Sequence, residues 1–102
     1  MSFKNVTEAD FEKEVLEAKK PVLVDFNAEW CPPCQMMKQL VHELATASDD
    51  YDVVSVDIDA SPLLSSRYQV ASIPCFVVFR DGKEVERHVG VQSRSVLARM
   101  VK

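Results

Sequence analysis

Two cysteines flank two prolines in Cys31-Pro32-Pro33-Cys34, and of all residues in the chain these are the best suited by type and spacing to do chemistry. A C-x-x-C pair serves two chemistries, reversible disulfide formation and half of a tetrahedral zinc site. A disulfide requires Cα atoms about 4.4 to 6.8 Å apart. Residues three apart in an extended strand span roughly 10 Å, whereas on the first turn of a helix their side chains approach to about 5 to 6 Å. The pair closes with little backbone movement on a helix and cannot close on a strand. A helix N-terminus also supplies partial positive charge and free N–H groups that favour a thiolate at Cys31. Cys31 is then the expected nucleophile, and Cys34, one turn in and shielded, the resolving thiol. Zinc would need two further ligands from Cys75, His42 and His88, which show neither a second C-x-x-C nor an H-x-x-x-H spacing.

The elements around the pair follow from periodicity. Pro21 to Phe26 (PVLVDF) is an apolar, β-branched run suited to a central strand covered on both faces, with Asp25 as its one charged residue. From Cys34 to Ala47 there is no Gly or Pro, and Cys34, Met37, Leu40, Val41, Leu44 and Ala45 form one stripe at helical spacing. Pro32 and Pro33 stand at the start of this helix, where a missing N–H costs least. Upstream, Thr7 and Asp10 take capping-box positions and Phe11, Val15 and Ala18 are spaced for a helix over 7–18. Downstream, Tyr51 to Ile58 reads as a strand and Pro62 to Tyr68 as a short helix. Cys75 to Phe79 and Glu84 to Val89 read as a hairpin turned at Asp81-Gly82, and Ser93 to Val101 as a closing helix. Strands alternating with helices and ending in a hairpin predict an α/β fold, a mixed sheet with helices on both faces and functional loops at the carboxyl ends of its parallel strands.

At 102 residues with 47% hydrophobic and 27% charged side chains, the chain is expected to form one domain over 1–102 whose core needs no disulfide or metal to hold it. The cysteines are thus free for chemistry. A net charge of −4 with interleaved signs speaks against nucleic acid or anionic membrane as a partner. No run approaches a membrane span, and the MSFKNVTEADF start lacks the apolar core of a secretory signal, so a cytoplasmic location is expected.

The string Val24-Asp25-Phe26-Asn27-Ala28-Glu29-Trp30-Cys31-Pro32-Pro33-Cys34 resembles the thioredoxin active-site signature V-D-F-x-A-x-W-C-x-P-C. The likeness continues in family order through Val56-Asp57-Ile58-Asp59, Tyr68-Gln69-Val70, Ser72-Ile73-Pro74, Asp81-Gly82 and His88-Val89-Gly90. It implies the thioredoxin fold, about five strands flanked by four helices, with a cis peptide before Pro74. It also implies a protein disulfide reductase working through Cys31 and Cys34, with no bound cofactor and with electrons drawn from thioredoxin reductase or an equivalent donor. Under this resemblance Asp25 is buried behind the cysteines as a proton carrier with a raised pKa. Trp30 forms an apolar wall beside Cys31, and Ile73, Pro74 and Gly90 line the face that receives an extended segment of a disulfide-containing substrate protein.

Departures from the family pattern bear on tuning. Pro32 stands where Gly is commoner, removing an N–H near Cys31 and, with Pro33, stiffening the motif. Asn27, Gln35, Gln39 and Ser55 occupy places where family members often have Trp, Lys, Pro and Lys. The loss of two cations should let Asp25 and Cys31 titrate higher, and Gln39 should leave the long helix straighter. Cys75, where the family usually has Thr, is expected close to the pair, either as simple packing at the start of a buried strand or as an accessory thiol. A monomer is expected, although the apolar surface around Trp30 and Pro74 suits a weak dimer as well as substrate docking. An oxidant or isomerase of the same fold is the alternative activity, and a scaffold without redox chemistry would have no need of both thiols.

Overall fold

A five-stranded mixed sheet organises the computed structural model, which describes residues 3–102. Its strands are β1 (Phe3–Asn5), β2 (Val22–Asn27), β3 (Asp52–Asp57), β4 (Cys75–Arg80) and β5 (Lys83–Val89), in the spatial order β1-β3-β2-β4-β5. β1, β3 and β2 run parallel, β4 is antiparallel to β2, and β5 is antiparallel to β4. The helices are α1 (Pro32–Ala47), α2 (Pro62–Arg67) and α3 (Arg94–Met100), with a π-helical segment at Glu12–Leu16.

Strand alternation divides the core in two. Val22, Val24 and Phe26 of β2 join Val54, Val56, Cys75, Val77 and Phe79 on one face, under Phe11, Val15 and Leu64. Leu23 joins Val53, Phe76 and Val78 on the other, under Met37, Val41 and Leu44 of α1 and Leu97 and Met100 of α3. The apolar stripe of α1 is therefore the surface that covers the second face, and the helix runs unbroken through Gln39. The hairpin turns at Asp81 and Gly82, both at positive φ (53° and 80°), the backbone a two-residue turn demands.

The Thr7–Ala18 region is less regular than its spacing predicts. The Asp10 carboxylate accepts the Thr7 N–H at 2.7 Å, one half of the capping box, but regular winding is confined to Glu12–Leu16. There the Glu17 N–H reaches back five residues to Glu12 O at 2.9 Å. Phe11 and Val15 are buried as the spacing requires. Strand β1 has no signal in the sequence pattern. Three residues, FKN, are too short to show alternation, and pairing with Val53–Ser55 defines the strand.

Candidate active site

The site is built where β2 ends and α1 begins, at the carboxyl end of a parallel strand, as the topology predicts. A turn closed by the Cys31 N–H on Ala28 O (3.2 Å) brings the chain to Cys31, the N-cap of α1. Pro32 and Pro33 fill the first two helical positions and offer no N–H, so the first free amide is that of Cys34. It donates to Cys31 Sγ at 3.2 Å, so the sulfur takes the place an N-cap Ser or Asp oxygen would hold. The two cysteines are joined as a disulfide, with Cα atoms 5.2 Å apart.

Exposure does not separate the two sulfurs as the spacing suggests, since Cys31 is 3% and Cys34 5% exposed. What distinguishes Cys31 is its donor at the helix N-terminus and its position 4.0 Å from Ile73 O. The amide that bonds the sulfur belongs to the third helical position, and Pro32 occupies the first.

Asp25 lies on β2, on the sheet face that α1 covers, so the strand and the first turn of the helix bring Asp25 and Cys34 to one side of the sheet. It is 4% exposed, and its Oδ1 has no hydrogen-bond partner among the described residues. Burial pushes its pKa up from 3.8 to about 7, with the Asn27 side chain pulling the other way. On β3, Ser55 is its register partner, where a family lysine would have supplied a cation. Asn27 and Ser55 instead join through a hydrogen bond from Asn27 Nδ2 to Ser55 Oγ at 2.7 Å.

Trp30 is 65% exposed and stands at the surface. Its indole N–H donates to the Asp59 carboxylate at 2.6 Å. Asp59 therefore fixes the ring, a role invisible in the sequence because the partners are separated by 29 residues. The Ile73-Pro74 peptide is cis. Ile73 packs, half-buried, against Ala28, Cys31 and Cys34, while Pro74 is buried and its carbonyl accepts the Gly90 N–H at 2.8 Å. Gly90 has φ +91°, a conformation L side chains rarely adopt.

Cys75 follows Pro74 in sequence but points into the other core, with Val77 and Phe79, and is 1% exposed. It belongs to a different apolar cluster from Cys31 and Cys34. Among the described residues no three His, Cys, Asp or Glu side chains gather as a metal site would require.

A sequence model of the family described as Thioredoxin matches residues 2–102. The thioredoxin of Mycobacterium tuberculosis is 43% identical over 95 residues, 92% of this chain and 82% of that one. A bifunctional thioredoxin reductase/thioredoxin of Mycobacterium leprae is 40% identical over 95 residues, 92% of this chain and 21% of that longer protein. A solved mutant thioredoxin from Halobacterium salinarum superposes with a TM-score of 0.88 at 35% identity, over 97% of this chain and 88% of that one. Sheet, helix terminus and cysteine pair define a thiol–disulfide oxidoreductase. The chain belongs to the thioredoxin family, and its activity is that of a thiol–disulfide reductase working through Cys31 and Cys34.

Proposed function

We propose that Cys31 attacks disulfides of client proteins, that Cys34 resolves the mixed disulfide, and that Asp25 takes up the Cys34 proton. The observation that carries this reading is the Cys34 N–H on Cys31 Sγ, which favours negative charge on that sulfur. The Cys31 thiolate displaces one sulfur of the client disulfide, which leaves as a thiolate and takes up a proton, and Cys31 is left in a mixed disulfide. The Cys34 thiol then yields its proton to Asp25 and attacks Cys31 Sγ. The Cys31–Cys34 bond forms, the client's second sulfur leaves, and the client is reduced by two electrons. A carboxyl group titrating at about 7 is matched to that transfer at neutral pH.

Trp30, Ile73, Pro74 and Gly90 form the docking face in this reading. The exposed indole and the half-buried Ile73 beside Cys31 support it. Two electrons must then return to the pair, and thioredoxin reductase is the donor class. The Mycobacterium leprae relative, named as both reductase and thioredoxin on one chain, supports that partnership. We place this electron transport in the cytoplasm; no helix among the described residues is long and apolar enough to cross a membrane. Cys75, buried in the other core, is read as packing.

Insulin reduction tests the assignment. Wild type should precipitate insulin B chain with dithiothreitol as donor, Cys31→Ser should be inactive, and Cys34→Ser should accumulate as a mixed disulfide with the client. A trapped complex from the Cys31 variant in place of the Cys34 one would reverse the two roles.

A further inference from the structure

A carboxyl group must be ionised before it can take up a proton, and the burial of Asp25 opposes ionisation. Its register partners, Ser55 on β3 and Phe76 on β4, carry no charge. The titratable groups on the same face are Cys34 of α1, Asp57 of β3 and His88 of β5, the register partner of Phe76. We propose that Asn27 is a positioning residue for the reduction, its side-chain amide holding, with Ser55, the donors that let Asp25 ionise and accept the Cys34 proton. The inference rests on the reading of Asp25 as that base.

Placement comes first. Asn27 lies two residues beyond Asp25 on β2, so both side chains leave the same face of the strand. The Ile58 N–H donates to Asn27 O at 2.9 Å and fixes the backbone there. Asn27 Nδ2 donates to Asp25 O at 2.8 Å and to Ser55 Oγ at 2.7 Å. A backbone carbonyl can only accept, so the amide turns its nitrogen and not its oxygen toward Asp25. The positive end of the amide dipole is thereby held beside the buried carboxyl group.

Ser55 extends the same support. It is buried, its oxygen receives the Asn27 bond, and its hydroxyl keeps its own proton to give. Register partners on neighbouring strands lie about 4.8 Å apart, which sets this second donor alongside Asp25. The electrostatics agree with the geometry. Against the desolvation that raises the Asp25 pKa, Asn27 is the side chain that pulls it back toward ionisation. Lys38 of α1 borders the surface cavity that Asn27 and Ser55 line, but it is exposed, and solvent screens its charge. Without the amide, the carboxyl group would stay protonated at neutral pH and have no room for the Cys34 proton.

The test is the titration of the Asp25 carboxyl group by ¹³C NMR in the oxidised full chain, where the disulfide keeps Cys31 and Cys34 from titrating. The wild-type midpoint is expected at about 7. Asn27→Val should raise it by about one pH unit, a tenfold loss of ionisation and the size of one hydrogen bond to a charged group. Ser55→Ala should raise it by less, and Lys38→Gln should leave it in place. In single-turnover reduction of insulin by the pre-reduced protein, Asn27→Val should shift the pH dependence of the rate upward by the same amount. In an Asp25→Asn background it should have no further effect. An unmoved midpoint in Asn27→Val, or in Ser55→Ala should Asn27→Val fail to fold, overturns the inference and leaves the base reading standing. So does a shift in Lys38→Gln as large as that in Asn27→Val, or equal slowing by Asn27→Val with and without Asp25. A normal rate in Asp25→Asn overturns the base reading itself, and the inference with it.

Discussion

Cys31 and Cys75 are both almost completely buried, at 3% and 1% exposure, but their surroundings give them opposite chemistry. Cys31 caps a helix, accepts the Cys34 N–H and has a second sulfur within bonding reach. Cys75 sits among Val77, Phe79 and Phe26, where burial pushes its thiol pKa up; Arg87 pulls it down and Glu84 and Asp25 add to the rise. Burial alone therefore does not decide whether a thiol reacts. A donor at a helix terminus stabilises the thiolate, and an apolar core disfavours it.

The largest change that sharpens this contrast is at Asp25, which faces the dithiol side of the sheet while Cys75 faces the other. Asp25→Asn should slow insulin reduction about a hundredfold at neutral pH, the low end of what a positioned general base contributes. It should also reshape the pH dependence of stability. The carboxyl group titrates at 3.8 when unfolded and about 7 when folded, so between those values the folded state holds a proton that the unfolded state has released. Wild-type stability therefore falls as pH rises through that window, by a total on the order of 4 kcal/mol, and levels off above it. The Asn variant lacks this decline and should be the more stable protein above pH 7. Parallel urea midpoints for the two proteins from pH 4 to pH 9 would show that the carboxyl group is solvated.

A smaller effect is expected at Cys75. Cys75→Ala should leave insulin reduction within about twofold and cost about 1 to 2 kcal/mol in urea denaturation, the size of a small core truncation. In the reduced, folded wild type, iodoacetamide should modify Cys31 well before Cys75, which should label only on unfolding. Equal labelling rates would break the comparison and restore Cys75 as an accessory thiol.

The smallest expected effect is at Pro32. Its replacement by Gly restores an N–H at the first helical position, whereas the bond to Cys31 Sγ comes from the third. The reduction potential, measured against glutathione, should move by less than about 30 mV, a tenfold change in the two-electron equilibrium. A larger move toward a more oxidising potential would show that an amide at the first position also stabilises the thiolate.

Much of this molecule was legible where the governing physics is local. The 3.6-residue stripe of α1 matches its buried side, Asp81-Gly82 forms the positive-φ turn, and the paired prolines mark a helix start. The C-x-x-C spacing needs a helix terminus to close, and it has one. Asp25 stood out as the one charged residue in an apolar run, and its burial and raised pKa follow from that run becoming a central strand. The irregular winding of Glu12–Leu16 and the three-residue β1 were not legible, because neither carries a period long enough to distinguish itself.

The sequence by itself determined the elements and the reactive pair, since both depend on residues within a few positions of one another. Tertiary structure alone decided which face each side chain meets. The register of β2 against β4 sets Phe26 opposite Cys75 and Asp25 opposite Phe76, and alternation then sends the thiol and the carboxyl group into different cores. It likewise brought Asp59 to the Trp30 indole and Ser55 to Asn27, over separations of 29 and 28 residues. Such contacts form only when strands distant in sequence pair in one register, and no local pattern specifies that register.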